Sequence, residues 1–211
     1  MARSRPTSQS PVMRRGAGFP LVVSSPSGAG KTSVCRAVAR EMKNVSFSVS
    51  LTTRSPRRGE KNGKDYVFVD EGRFRQLVDA GELAEWAVVY GSYYGTPKKV
   101  LEENLDKGRC VILTLDHNGG ESIKKNYPGA VLVYLLPPSM KELQRRLRGR
   151  HTDCDSAISG RLKSARRELA HAKDYDYLVV NKRLNRTVNI LKAIISAESH
   201  RRERFGKISF K

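Results

Sequence analysis

The chain has 211 residues, a length that fits one large domain or a domain carrying small inserted subdomains. Hydrophobic residues make up 38% and charged residues 29%, which is enough apolar material to bury a core and excludes wholesale disorder. Forty Lys and Arg against 21 Asp and Glu leave a formal charge of +19, a field that attracts nucleic acid or phosphate-rich small molecules.

The excess is uneven, with 19 basic and 8 acidic residues from position 141 onward. Cys35, Cys110 and Cys154 are odd in number and lack a short paired spacing, so the cysteines point to neither a disulfide framework nor a zinc site and fit a reducing cytoplasm. The longest apolar stretch, Ala130 to Pro138, is far short of the roughly 20 residues that cross a bilayer, so no membrane span is expected.

In chain order, residues 1–18 carry Arg3, Arg5, Arg14 and Arg15, and no acid precedes Glu41. Pro6 and Pro11 interrupt any helix there, and the segment is predicted to be a disordered basic tail, although a transit peptide shares this composition. From Phe19 an apolar run leads through a Gly and Ser turn into a helix-like stretch, Thr32 to Met42, with Val34, Ala37 and Val38 on one face. Strand-like runs follow at 45–51, 66–69, 83–90, 110–115, 130–136 and 177–180. Helix-length amphipathic stretches fall at 71–80, 97–107, 119–126, 139–149, 156–172 and 184–204. This alternation predicts an α/β fold, a parallel sheet with helices on both faces. Residues 50–96 break the rhythm and read as a small, mostly β insertion between core segments 19–49 and 97–198. Gly149 to Ser159 reads as a mobile flap, and Ser199 to Lys211 as a frayed basic end.

Ser25-Pro26-Ser27-Gly28-Ala29-Gly30-Lys31-Thr32 lies between the first apolar strand and the first helix, where backbone amides and a helix N-terminus can face one anion. In such a phosphate loop Lys31 reaches the β and γ phosphates and the Thr32 hydroxyl ligates Mg²⁺. Ser25 departs from the general pattern, which has glycine there; a positive φ at that position would cost on the order of 1 kcal/mol.

The segment Thr52-Thr53-Arg54-Ser55-Pro56-Arg57-Arg58-Gly59-Glu60, ending at Tyr66, sets two guanidinium groups and a phenol where they could hold a phosphate dianion by charge-assisted bonds. Together with the phosphate loop, Glu85-Trp86-Ala87, Tyr93-Tyr94-Gly95-Thr96 and the run Arg146 to Arg161, it resembles guanylate kinase. The five pieces stand in register from about residue 19 to 200.

The resemblance implies a P-loop NTPase-type fold with a GMP-binding insertion and a lid, and the reaction of ATP with GMP, and with dGMP, to give ADP and the diphosphate, with Mg²⁺. It implies that Arg54, Arg57, Tyr66 and Tyr94 hold the acceptor phosphate and that Ser50, Glu85 and Thr96 read guanine. One carboxylate can accept guanine N1–H and N2–H together, a donor pair that adenine lacks. Asp116, after the strand-like run 110–115, matches an acid between the two substrates; the following His117-Asn118-Gly119-Gly120 departs from the family pattern. Arg146, Arg150 and Arg161 match arginines around the donor phosphates, and Asn181 matches a residue at the adenine end, with Lys182 and Arg183 replacing acids common in the family. The GMP phosphate is already ionised near neutral pH, so the chemistry asks for in-line positioning and positive charge rather than a strong base. Closure of the flap and the insertion over both nucleotides is expected to exclude water.

Two rivals come from other classes. Guanylate-kinase-like scaffold domains bind proteins without useful activity, but they have generally lost the phosphate-loop residues that Gly28, Gly30, Lys31 and Thr32 supply here. A nucleic-acid-binding protein would explain the charge, yet no RNA-binding or helix-turn-helix signature accompanies it, which leaves at most weak, non-specific nucleic-acid affinity.

Overall fold

The computed structural model describes residues 11–15, 18–57, 59–89, 91–149 and 155–210. Its centre is a five-stranded parallel sheet built from β2 (Phe19–Ser24), β3 (Val45–Phe47), β8 (Cys110–Thr114), β9 (Val131–Leu136) and β10 (Tyr177–Val180), in the spatial order β10-β9-β2-β8-β3. Alternate residues of a strand face opposite sides of a sheet. Leu21 and Val23 of β2 therefore pack with Val34, Cys35 and Val38 of α1 (Lys31–Glu41) and with Val188, Leu191 and Ile195 of α7 (Leu184–Ser199). Val22, Val111 and Leu113 meet Leu101 and Leu105 of α3 (Lys98–Asp106) and Ile123 of α4 (His117–Asn126) on the other face. Both faces are covered, as an all-parallel sheet requires.

The insertion is a separate four-stranded sheet in the order β5-β4-β7-β6, from β4 (Leu51–Thr52), β5 (Val67–Phe68), β6 (Leu83–Val89) and β7 (Ser92–Pro97), with α2 (Glu71–Asp79) against it. Leu51, Phe74 and Leu77 give it a small core of its own. The strand-like run predicted over 45–51 is divided between the two sheets. The Ser48 amide donates to Ile112 O at 3.0 Å in the core, whereas Ser50 O accepts from Val67 of the insertion at 2.9 Å, so the chain changes partners at Val49. The strand β7 is absent from the sequence prediction. It pairs with β6 through the register Val89↔Ser92, a two-residue hairpin whose Gly91 takes a φ of 78°.

Two further corrections concern the ends. Within the tail predicted to be disordered, β1 (Pro11–Arg15) pairs antiparallel with β11 (Phe205–Phe210), which lies in the segment predicted to fray. Phe205, Ile208 and Phe210 favour extended backbone, a propensity that the basic composition of the segment hides. The helix predicted over 184–204 stops at Ser199. There the Ser199 hydroxyl donates to Ile195 O at 2.6 Å, and a short 3-10 turn, Arg202–Arg204, follows. Arg204 anchors that turn: its guanidinium lies 3.8 Å over the Phe19 ring and donates to Glu198 O and Gly129 O. The stretch predicted as one helix over 156–172 is α6 (Asp155–Glu168) followed by a 3-10 helix, Leu169–Asp174. Of the flap at 149–159, residues 150–154 lie outside the described residues. Among the described residues no helix is long and apolar enough to cross a membrane.

Candidate active site

The segment from Ser25 to Gly30 leaves the carboxyl end of β2 and opens α1, the position at which open α/β sheets receive ligands. Gly28 and Gly30 both have positive φ, 94° and 92°. Neither could carry a side chain in this packing, since a Cβ on Gly28 would lie 2.8 Å from Leu147 Cδ2 and one on Gly30 would lie 2.7 Å from Asn181 Nδ2. The loop is thus clamped between α5 (Met140–Arg148) and the end of β10. Thr32 is exposed on the first turn of α1, and the Ser25 hydroxyl donates to Pro26 O at 3.1 Å.

Lys31 donates to Leu115 O at 3.0 Å across the carboxyl ends of β2 and β8. Burial pushes its pKa down, and the nearby carboxylates of Asp116 and Glu168 oppose that shift. Asp116 caps α4, its Oδ1 accepting from the Gly119 amide at 2.9 Å, while Ser24 Oγ approaches its carbonyl at 3.4 Å.

In the insertion, Glu85 and Thr96 are cross-strand partners on β6 and β7. The Thr96 hydroxyl, fully buried, donates to Glu85 Oε1 at 2.6 Å, and Glu85 is only 6% exposed. Burial raises the Glu85 carboxyl to about 7, with nearby Asp116 adding to the rise and the Thr96 hydrogen bond working against it. Ser50 is buried immediately before β4. A Cβ on Gly119 would lie 2.9 Å from Glu85 Oε2 and 3.2 Å from Asp116 Oδ1, so both carboxylates converge on one glycine at the start of α4. The sequence marks Gly119 only as part of a departure from the family pattern.

Arg54, Tyr66 and Tyr94 form one cluster. The Arg54 guanidinium lies 5.3 Å from the Tyr66 ring centre, and the two tyrosine rings meet edge to face at 5.9 Å. Burial raises the Tyr66 phenol, and Tyr94 adds to the rise while Arg54 opposes it. Arg54 Nη2 donates to both Glu60 carboxylate oxygens at 2.9 Å, and Glu60 Oε2 also accepts the Arg57 amide at 2.8 Å. Glu60 thus occupies the arginine as a phosphate would. An acid inside a loop holding Arg54, Arg57 and Arg58 was the available signal for this role. The Arg57 side chain is exposed on the same loop.

Asn181 and Arg146 stand behind the phosphate loop. Asn181 is 6% exposed; its amide donates to Ala29 O at 2.7 Å and its Oδ1 accepts from the Thr187 hydroxyl at 2.9 Å. Arg146 donates to Asn181 O at 3.0 Å, to Ala29 O at 3.4 Å and to Glu142 at 2.8 Å. Both side chains brace the loop's main chain, a role their assignment to the donor nucleotide did not include. Thr187, six residues beyond Asn181, carried no sequence signal. Arg161 is half-buried on α6, and Arg150 lies outside the described residues.

A parallel sheet with a glycine-clamped phosphate loop and a lysine at the head of its first helix defines an α/β P-loop nucleotide-binding protein. The guanylate kinase family profile matches residues 17–198. The chain is 45% identical over 188 residues to the guanylate kinase of Myxococcus xanthus, covering 89% of this chain and 90% of that protein. It is 44% identical over 187 residues to that of Geobacter sulfurreducens, covering 89% and 92%. The crystal structure of guanylate kinase from Anaplasma phagocytophilum superposes with a TM-score of 0.77 at 38% identity, over 90% of this chain and 91% of that one. The chain belongs to the guanylate kinase family and is a kinase.

Proposed function

We propose the following division of labour for the reaction of this family member: the chain transfers the terminal phosphoryl group of ATP to GMP, and also to dGMP, giving ADP and the corresponding diphosphate. The observation that carries the acceptor assignment is the buried Glu85 carboxylate, which accepts from Thr96 and has no cation paired with it among the described residues. A purine offering two adjacent N–H donors satisfies that group, whereas one offering none leaves it buried and unpaired. Such hydrogen-bonding pockets discriminate by about 10⁴ to 10⁵. Ser50 and Thr96 line the same pocket, and Arg54, Arg57, Tyr66 and Tyr94 receive the acceptor phosphate, which takes the place of Glu60 on Arg54.

Ser25, Pro26, Ser27, Gly28, Ala29, Gly30, Lys31 and Thr32 wrap the donor phosphates, with Asn181 and Arg146 fixing the loop from behind. Arg150 and Arg161 supply further positive charge, and Asp116 stands between the two substrates. The donor set around the loop, a hydroxyl at Thr32 and the carboxylate of Asp116, is made of hard oxygen ligands and suits Mg²⁺ carried in with ATP. Thr32 would hold that ion, whose chemistry is to neutralise phosphate oxygens. The lysine and arginines of this chain align the acceptor oxygen with the donor phosphorus and offset charge on the group in transit.

The reducing-compartment reading of the cysteines and the lack of a membrane-crossing helix among the described residues support a cytoplasmic enzyme. The +19 charge supports weak, salt-sensitive affinity for nucleic acid. A coupled assay for ADP with GMP, dGMP, AMP and UMP tests the proposal. Turnover with the two guanine acceptors and near-background rates with the others are expected; equal rates with AMP and GMP would overturn the Glu85 assignment.

A further inference from the structure

Among the described residues, the phosphate loop and the acceptor pocket leave one cluster of metal-ligating side chains unused. His117, the first residue of α4, and His171, in the 3-10 helix Leu169–Asp174, stack with ring centres 3.8 Å apart. Asp174 closes the group: its Oδ2 lies 3.9 Å from His171 Nδ1, and one ligand atom from each of the three residues falls within 4.8 Å of the other two. Glu121, one turn along α4, brings Oε1 to 3.5 Å from His117 Nε2.

The two rings bring two nitrogen ligands beside the Asp174 carboxylate, with the Glu121 carboxylate next to His117. The three grouped atoms supply a nitrogen and oxygen set that suits a borderline-soft divalent ion, and Glu121, beside His117, is the fourth ligand to be recruited. Tetrahedral zinc places its ligand atoms about 3.3 Å apart, so the group must contract by an ångström or so. Stacked rings cannot both direct an in-plane lone pair at one ion, so binding also requires the His171 ring to turn out of the stack; the side chains of His171 and Asp174, 46% and 40% exposed, have room to move.

We propose that His117, His171 and Asp174, with Glu121, form a zinc-type transition-metal site distinct from the Mg²⁺ that accompanies ATP. The ion bridges α4, whose cap is Asp116, and the 3-10 helix that follows α6, and so fixes the helix bearing Arg161 against the acceptor side of the core.

The test uses the full chain, stripped with a chelator and free of nucleotide, so its outcome is independent of the kinase assignment. Calorimetric titration with Zn²⁺ is expected to show one ion per chain, with Co²⁺ giving the visible absorption of a tetrahedral site and Mg²⁺ giving no comparable binding. His171→Ala and Asp174→Asn, both at exposed positions, should weaken Zn²⁺ by at least about tenfold each and abolish the rise in unfolding temperature that Zn²⁺ gives the parent. Cys154→Ser should bind as the parent does. Failure of the parent to bind, or equal affinity in His171→Ala, or loss of binding in Cys154→Ser, would overturn the proposal and leave the two rings as packing alone.

Discussion

Glu85 and Lys31 are both ionisable groups taken out of water, and their shifts have opposite consequences. The Glu85 carboxyl titrates at about 7 in the folded chain against an ordinary 4.5. The folded state therefore holds a proton that the unfolded chain has lost, and the stability this gives is complete below pH 4.5 and disappears as pH rises through 7. It amounts to on the order of 3 kcal/mol. Glu85→Gln has nothing to titrate, so its stability relative to the parent should climb between pH 4.5 and 7, as read from urea unfolding at several pH values. A constant difference would contradict the shift. Guanine binding demands the carboxylate, so GMP should release a proton from Glu85 near pH 6 and bind more tightly as pH approaches 7. Calorimetry in buffers of different ionisation enthalpy, with Glu85→Gln as the reference for the phosphate's own titration, reads that proton. Lys31 is the reverse case, a cation whose burial depresses its pKa. Lys31→Ala should lower kcat by on the order of 100-fold or more while its unfolding temperature stays at or above the parent's. Activity within a few-fold of the parent would remove Lys31 from the mechanism.

At the scale of elements, the strand, phosphate loop and first helix were legible in the sequence because glycines and lysine are required by local backbone geometry. The reason for Gly28 and Gly30 was only half visible. Positive φ is a local property, but the closeness of Leu147 and Asn181 comes from packing of distant segments. The same distinction explains Asn181. Its place after β10 was readable, whereas its bonds to Ala29 and Thr187 depend on α7 docking beside the loop. The division of 45–51 between two sheets was hidden because an apolar run carries no mark of where backbone partners change. Asn181→Ala leaves the Ala29 carbonyl short of a donor and the Thr187 hydroxyl short of an acceptor, which should cost about 1–3 kcal/mol. If the residue braces the loop, KM should rise by the same factor for ATP and GTP as donors; a rise confined to ATP would show that it reads adenine.

The whole molecule carries its two cationic walls on different bodies. Arg54 and Arg57 belong to the insertion, with its own core of Leu51, Phe74 and Leu77, while Lys31, Arg146 and Arg161 belong to the parallel-sheet core and its helices. The chain crosses between the sheets at Val49 and again where β7 ends at Pro97 and α3 begins. Glu60 and Glu142 offset Arg54 and Arg146 within each wall, but the remaining cations would face one another on closure without a ligand; each bound nucleotide supplies the anion that offsets them. One nucleotide neutralises only one wall, so closure should need both. Labels at Lys61→Cys and Arg186→Cys, exposed positions on the insertion and on α7, report this in a Cys154→Ser background, since Cys35 and Cys110 are buried. Energy transfer between them should increase with GMP and a non-hydrolysable ATP analogue together and change less with either alone. Raising ionic strength should reduce the requirement for the second nucleotide, because screening shortens the reach of the repulsion to about 8 Å or less. A distance unchanged by both ligands would mean that the walls are already in place and that water is excluded by some other means.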